Sequence, residues 1–221
     1  SLADHFMNIN SKTDLETSKI VKDAKIDIIF DLCGHTSGNR LGIFSYNPAP
    51  ISISWIGFPG KTANPNIDYF LVDRETNPED DSKLIKLPAS FLTFKGNELS
   101  KNKEKVDWQD CFVFGSFNNI RKISDRVISV WSRILKNCPH SKLLIKARQM
   151  NSLQGQQLII DRFKNEGIGK DKLLFAGYAK DTAVHMDHYK SVDLALDSFP
   201  YNGTTTTCEV LTTGTPIISL I

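Results

Sequence analysis

The chain has 221 residues, 40% of them hydrophobic, enough to bury one large or two modest cores. Its 27 Lys and Arg against 25 Asp and Glu leave it nearly neutral, which excludes a chain-wide electrostatic case for nucleic acid or an anionic membrane. Any anion must therefore be held by a local site. Cys33, Cys111, Cys138 and Cys208 form no CxxC pair, which disfavours a disulfide frame or a zinc site and predicts small buried thiols in a reducing compartment. No apolar run approaches the ~20 residues of a membrane span, and the start Ser1-Leu2-Ala3-Asp4 is no signal peptide, so a soluble, cytoplasmic protein is expected. An opening without Met and an ending in the strand-like Pro216 to Ile221 predict a fragment.

In chain order, the apolar runs Ile26 to Leu32, Ile51 to Ile56 and Ile67 to Val72 read as buried strands. Between the first two, Gly38 to Tyr46 is expected to hold a short helix, closed by Pro48 and Pro50. The polar, lysine-rich stretch Lys95 to Asp107 breaks the pattern and is the expected linker between a first domain at 1–100 and a second at 101–221. Beyond it strands and helices alternate: strand Cys111 to Phe114, helix Ser124 to Asn137, strand Lys142 to Ile145, helix Ser152 to Glu166, strand Lys172 to Phe175. A helix over Thr182 to Lys190, a strand over Val192 to Leu196, a helix from about Thr205 and a last strand complete the order. Val127, Ile128, Trp131, Ile134 and Leu135 make one apolar stripe, with Ser124 placed to cap it. Such alternation predicts an α/β fold of βαβ units on a parallel sheet.

In an open parallel sheet ligands bind at the carboxyl ends of the strands, where helices begin. Those ends carry Ser116 to Asn119 with Arg121 and Lys122, then Lys146 and Arg148, then Gly177, Tyr178 and Lys180, and last the run Asp197-Ser-Phe-Pro-Tyr-Asn-Gly-Thr-Thr-Thr-Thr. Pro200 and Gly203 set a turn, and Thr204 to Thr207 fill the cap and first turn of a helix that Gly214 and Pro216 stop. Two readings stand for the hydroxyls: they cap the helix, or with its N–H groups they hold a phosphate. Glu209, four residues after Thr205 and three after Thr206, shares their face and suits a ribose diol. Lys122, with Lys146 and Arg148 on the adjacent loop, reads as a diphosphate clamp. His185 and His188 sit three apart with no pattern completing a metal ligand set, so no metal is expected. Gly60-Lys61-Thr62 lacks the earlier glycine of a P-loop, Trp55 standing there, and no strand leads into GxGxxG.

Asp31-Leu-Cys-Gly-His-Thr-Ser-Gly-Asn-Arg40, Pro48 to Ile51, Trp55 to Gly60, Gly115 to Asn119 with Lys122, and Asp197 to Glu209 together resemble the catalytic region of the protein O-GlcNAc transferase and SPINDLY-like family, especially its bacterial members. The similarity covers about residues 24–221. The resemblance implies a GT-B-type architecture, two Rossmann-like lobes with parallel sheets, both incomplete here and inactive as a fragment. It further implies upstream tetratricopeptide repeats and inverting transfer of GlcNAc from UDP-GlcNAc to Ser or Thr hydroxyls of an acceptor protein, without a metal. Lys122 matches the catalytic lysine at the donor diphosphate, with Asn119 in the place of a glutamine beside it. His185 matches a histidine near the nucleotide, Thr205 and Thr206 match threonines at the phosphates, and Glu209 replaces a ribose-binding aspartate. Thr204 stands where the animal enzymes have a histidine. The expected donor site also takes in Asn202, Gly203, Lys146 and Arg148, and His35 and Thr36 of the first glycine loop. GDP-fucose as donor, and a noncatalytic nucleotide-binding scaffold, are the alternatives.

Overall fold

The computed structural model describes residues 3–57, 61–76, 81–96 and 111–220. The chain divides into two units, Ser1–Thr93 and Phe94–Ile221, a boundary ahead of the one expected at residue 100. Most of the expected linker, and Phe58 to Gly60 of the Trp55 motif, lie outside the described residues.

The first unit carries α1 (Asp14–Asp23), β1 (Ile28–Asp31), β2 (Ile51–Ser54), β3 (Tyr69–Val72) and β4 (Leu84–Lys86), its strands parallel and in sequential order. Ile43, Phe44, Ile67, Phe70 and Val72 form its core. The helix expected over Gly38 to Tyr46 is a 3-10 helix confined to Leu41–Tyr46. Its late start follows from Gly38, which bends at φ +82°, and it ends at Asn47, whose φ is +46°, before Pro48.

The glycine loop between β1 and that turn is built by Asp31. This buried carboxylate accepts the N–H of Cys33 at 3.0 Å, the N–H of Gly34 at 2.9 Å and the Ser54 hydroxyl at 3.0 Å. Each bond compensates part of the desolvation of the charge, and together they fix where the loop departs. The Thr36 hydroxyl donates back to the Cys33 carbonyl at 2.7 Å, while His35 lies exposed beside it. At the loop's far end Arg40 pairs with Asp14 at 2.6 Å and donates to the Lys12 carbonyl, tying the loop to α1.

The second unit carries β5 (Phe112–Ser116), α2 (Asp125–Asn137), β6 (Ser141–Lys146), α3 (Leu153–Asn165), β7 (Leu173–Ala176), α4 (Thr182–Lys190), β8 (Leu194–Leu196), α5 (Thr205–Thr212) and β9 (Ile217–Ile218). All pairings are parallel and the order is β7-β6-β5-β8-β9. Leu143, Leu144 and Ile145 of β6 are fully buried, as strands covered on both faces require. The stripe on α2 buries Val127, Ile128, Trp131 and Leu135, and Ser124 accepts the N–H of Val127 at the helix start. The last strand is shorter than expected, two residues after Pro216. None of the four cysteines is in a disulfide, and none is fully buried, Cys138 being exposed, against the expectation of buried thiols; Cys33, Cys111 and Cys138 flank element ends and Cys208 lies within α5. Among the described residues no helix is long and apolar enough to cross a membrane.

Candidate donor-binding site

The strand order reverses direction at β5, which lies between β6 and β8, and that is where an open α/β sheet leaves a crevice. Asp197, the residue after β8, closes one side of it. Its Oδ1 accepts Asn118 Nδ2 at 2.8 Å, Ser198 N–H at 2.9 Å and Gly203 N–H at 2.8 Å, and its Oδ2 accepts the Ser219 hydroxyl at 2.9 Å. One buried carboxylate thus joins the ends of β5, β8 and β9 and winds the loop that leads to α5. At Gly203 a β-carbon would lie 2.6 Å from Thr207 Oγ1 and 3.0 Å from Asn118 Oδ1, so a larger residue would force those side chains to shift.

Lys122 reaches the same loop from the β5 side. Its Nζ donates to the Asn202 carbonyl at 2.7 Å and stands 4.2 Å from the centre of the Tyr201 ring. Burial holds its ammonium below the usual lysine pKa range, opposed by the charge of Asp197. The side-chain amide of Asn202 donates to Ser219 Oγ and the Leu220 carbonyl, and its main-chain carbonyl accepts Lys122. The helix that follows begins at Thr204 without a side-chain capping bond, and its backbone ladder opens with Cys208 N–H to the Thr204 carbonyl. The later threonines behave otherwise, Thr212 and Thr213 donating back to the Cys208 and Val210 carbonyls. Thr207 Oγ1 is buried with no partner. The capping reading of the threonine run is therefore not the one realised at Thr204, and the first-turn N–H groups of α5 are free of it.

The other side of the crevice is a relay. Lys146, the last residue of β6, turns its Nζ to His185 Nδ1 at 2.6 Å. His185 Nε2 lies 3.4 Å from Glu209 Oε2, and the Tyr189 hydroxyl donates to that same oxygen at 2.5 Å. Hydrogen bonding by His185 holds the Glu209 carboxyl below the usual range, against the effect of burial. Burial lowers the Lys146 pKa, opposed by Glu209, and burial together with Glu209 raises that of Tyr189. Of the expected clamp residues, the buried Lys146 ammonium bonds the His185 imidazole while Arg148 stays exposed. Arg148, Lys146, Asn119, Arg121 and Tyr178 line a cavity of about 380 Å³. Among the lining residues, Asn119 Oδ1 accepts the Arg121 N–H at 3.1 Å. His188 bonds the Val184 carbonyl of its own helix, so the two histidines serve different partners.

The family model described as glycosyl transferase family 41 matches residues 1–93 and 99–221. The chain belongs to glycosyl transferase family 41. Among relatives of this family-41 chain is the probable UDP-N-acetylglucosamine–peptide N-acetylglucosaminyltransferase SPINDLY of Petunia hybrida, 35% identical over 212 residues, which are 93% of this chain and 23% of that protein. The corresponding enzyme named SEC of Arabidopsis thaliana is 30% identical over 240 residues, covering all of this chain and 24% of that one. The chain therefore spans about a quarter of the curated relatives it matches. In structure it is similar to the K341M mutant of Thermobaculum terrenum O-GlcNAc transferase, with a TM-score of 0.82 at 25% identity over 99% of this chain and 42% of that one. The fold is of the GT-B type, each unit contributing a parallel α/β sheet.

Within family 41, the expected residues of the second unit fall into the two groups just described. Lys122, Gly203 and Thr204 to Thr206 belong to the loop side, and Lys146, His185 and Glu209 to the relay. His35 and Thr36 belong to the first unit's glycine loop. Sequence reasoning placed Asn118 and Asp197 at the strand ends without foreseeing the bond that joins them, and it missed Tyr189. Asn118 lies two residues past β5 and Asp197 is the first residue past β8, both of them buried polar residues of the kind that need a partner.

Proposed function

We propose that this chain is the donor-binding part of an inverting glycosyltransferase that moves GlcNAc from UDP-GlcNAc to Ser or Thr hydroxyls of proteins. One observation carries the reading: the Lys122 ammonium is anchored on the loop that opens α5, whose first turn has no side-chain cap. In the reaction the acceptor hydroxyl oxygen forms its bond to the anomeric carbon and releases its proton to solvent as the bond from that carbon to the β-phosphate oxygen breaks, and the electron pair leaves with UDP. The chemical demand is for positive potential at the departing diphosphate, and a fixed ammonium beside helix N–H groups supplies it without reorganisation. Lys122, Thr205 and Thr206 take the phosphates in this reading. Glu209 takes the ribose diol with His185 beside the nucleotide, and Asn119 and Arg148 flank the cavity next to it. His35 and Thr36 belong to the acceptor-side lobe. No metal is required, since Lys122 fills the cationic role. A cytoplasmic protein with upstream helical repeats that present the acceptor completes the proposal.

Calorimetric titration of the full gene product with UDP and with GDP tests it. The reading expects UDP to bind and GDP to bind at least about tenfold more weakly, a difference of about 1.4 kcal/mol. Preference for GDP would replace the GlcNAc donor by a guanosine-linked sugar such as GDP-fucose, and binding of neither would favour a scaffold.

A further inference from the structure

The relay on the β6 side holds more information than the donor reading uses. His185 and Tyr189 are four residues apart on α4 and share a face, with their rings edge to face at 5.1 Å. The Tyr189 ring also packs on Phe117 after β5, at 4.2 Å. Glu209 sits in the middle of α5, and Lys146 ends β6. Four hydrogen-bonded side chains and two ring contacts therefore link α5 and α4 to the ends of β5 and β6. That pinning matters because α5 has eight residues and buries only Val210 among them, too short and too lightly packed to hold its own orientation.

The protons in the relay can be assigned from its geometry. The Lys146 ammonium carries only donors, so in its 2.6 Å contact with His185 the ring Nδ1 is the acceptor. The neutral ring then carries its hydrogen on Nε2. Nε2 faces Glu209 Oε2 at 3.4 Å and the Tyr189 oxygen at 3.3 Å, a shared bond. The single Tyr189 proton goes to Glu209, the shorter contact and the charged one.

We propose that Lys146 and Tyr189 are positioning residues: Lys146 fixes His185 as its Nε2–H tautomer, and Tyr189 holds the Glu209 carboxylate where it meets the ribose diol of the donor. Neither residue touches the reacting atoms. Both act through His185 and Glu209, and the inference rests on the donor-site reading above.

Two measurements on the full gene product decide it. The first compares UDP with 2′-deoxy-UDP by calorimetry. Wild type should prefer UDP by at least about tenfold, because the missing hydroxyl removes one donor to a charged acceptor. Tyr189→Phe, which keeps the ring and its packing, should bring the two ligands within about threefold. It should also raise the donor KM with little change in kcat, the pattern of lost uniform binding. A Tyr189→Phe variant that keeps the wild-type preference overturns the proposal. The second measurement needs no ligand: nitrogen NMR of 15N-histidine-labelled protein, with His185 assigned by loss of its signals in His185→Gln. Nδ1 should show the unprotonated, pyridine-type shift and Nε2 the protonated one. Lys146→Met should give a mixture of tautomers. The opposite tautomer in wild type, or unchanged shifts in Lys146→Met, overturns the proposal. If wild type binds neither UDP nor GDP, the donor-site reading fails and takes the ribose role of Tyr189 with it, while the His185 spectrum still decides the tautomer.

Discussion

Replacing Lys122 by alanine in the full gene product is expected to lower kcat by about 10²–10³-fold, the scale seen when one preorganised group that stabilises developing charge is removed. The reason lies in what the ammonium does with and without a donor. Without one it caps the Asn202 carbonyl and rides on the Tyr201 ring, both of them weak attachments at a partly open position. With a diphosphate at the start of α5 it faces charge that grows as the glycosidic bond breaks, so its contribution is larger in the transition state than in the ground state. Donor affinity should accordingly fall less than kcat, and the fold should lose no more than about 3 kcal/mol, the upper value for one hydrogen bond from a charged group. Steady-state kinetics and a denaturant melt on the same preparation check both halves. Near-normal transfer by Lys122→Ala would remove the lysine from the mechanism.

Asp197→Ala should be the most damaging single change for the architecture of the site. The carboxylate accepts four hydrogen bonds while buried, and its loss leaves the Ser198 and Gly203 N–H groups and the Asn118 amide without their acceptor. Each bond to a charged acceptor is worth about 1.5–3 kcal/mol, and stranded buried donors add to the loss, so destabilisation of at least about 3 kcal/mol is expected. UDP binding should be abolished along with it, because the same loop carries the Asn202 carbonyl that seats Lys122. The denaturant midpoint and a UDP titration measure the two effects. A variant that melts like wild type and still binds UDP would show that the loop is held by something else.

Much of the second unit was legible because a buried parallel strand is a short apolar run and the helices that cover it carry apolar stripes. The α2 stripe with its Ser124 cap is the clearest case. The first unit was read less completely. α1 buries only Thr17 and Ser18, so it has no apolar stripe, and its one signal was the capping box of Thr13 and Glu16. β4 is three residues with one of them exposed, too short for any periodicity. In the site, the threonine loop and Lys122 stood out as residue types at strand ends. The roles of Lys146 and Tyr189 did not, because a charge count cannot tell an ammonium facing a phosphate from one facing an imidazole. Similarly, Tyr189 reads as a core aromatic until Glu209, on the next helix, is found against its hydroxyl.

The most direct test is a crystal structure of the protein with UDP bound. The β-phosphate should sit at the first turn of α5, with an oxygen within about 2.7–3.2 Å of Lys122 Nζ and others on Thr205 and Thr206. UDP bound away from that turn, with Lys122 still on the Asn202 carbonyl, would contradict the account.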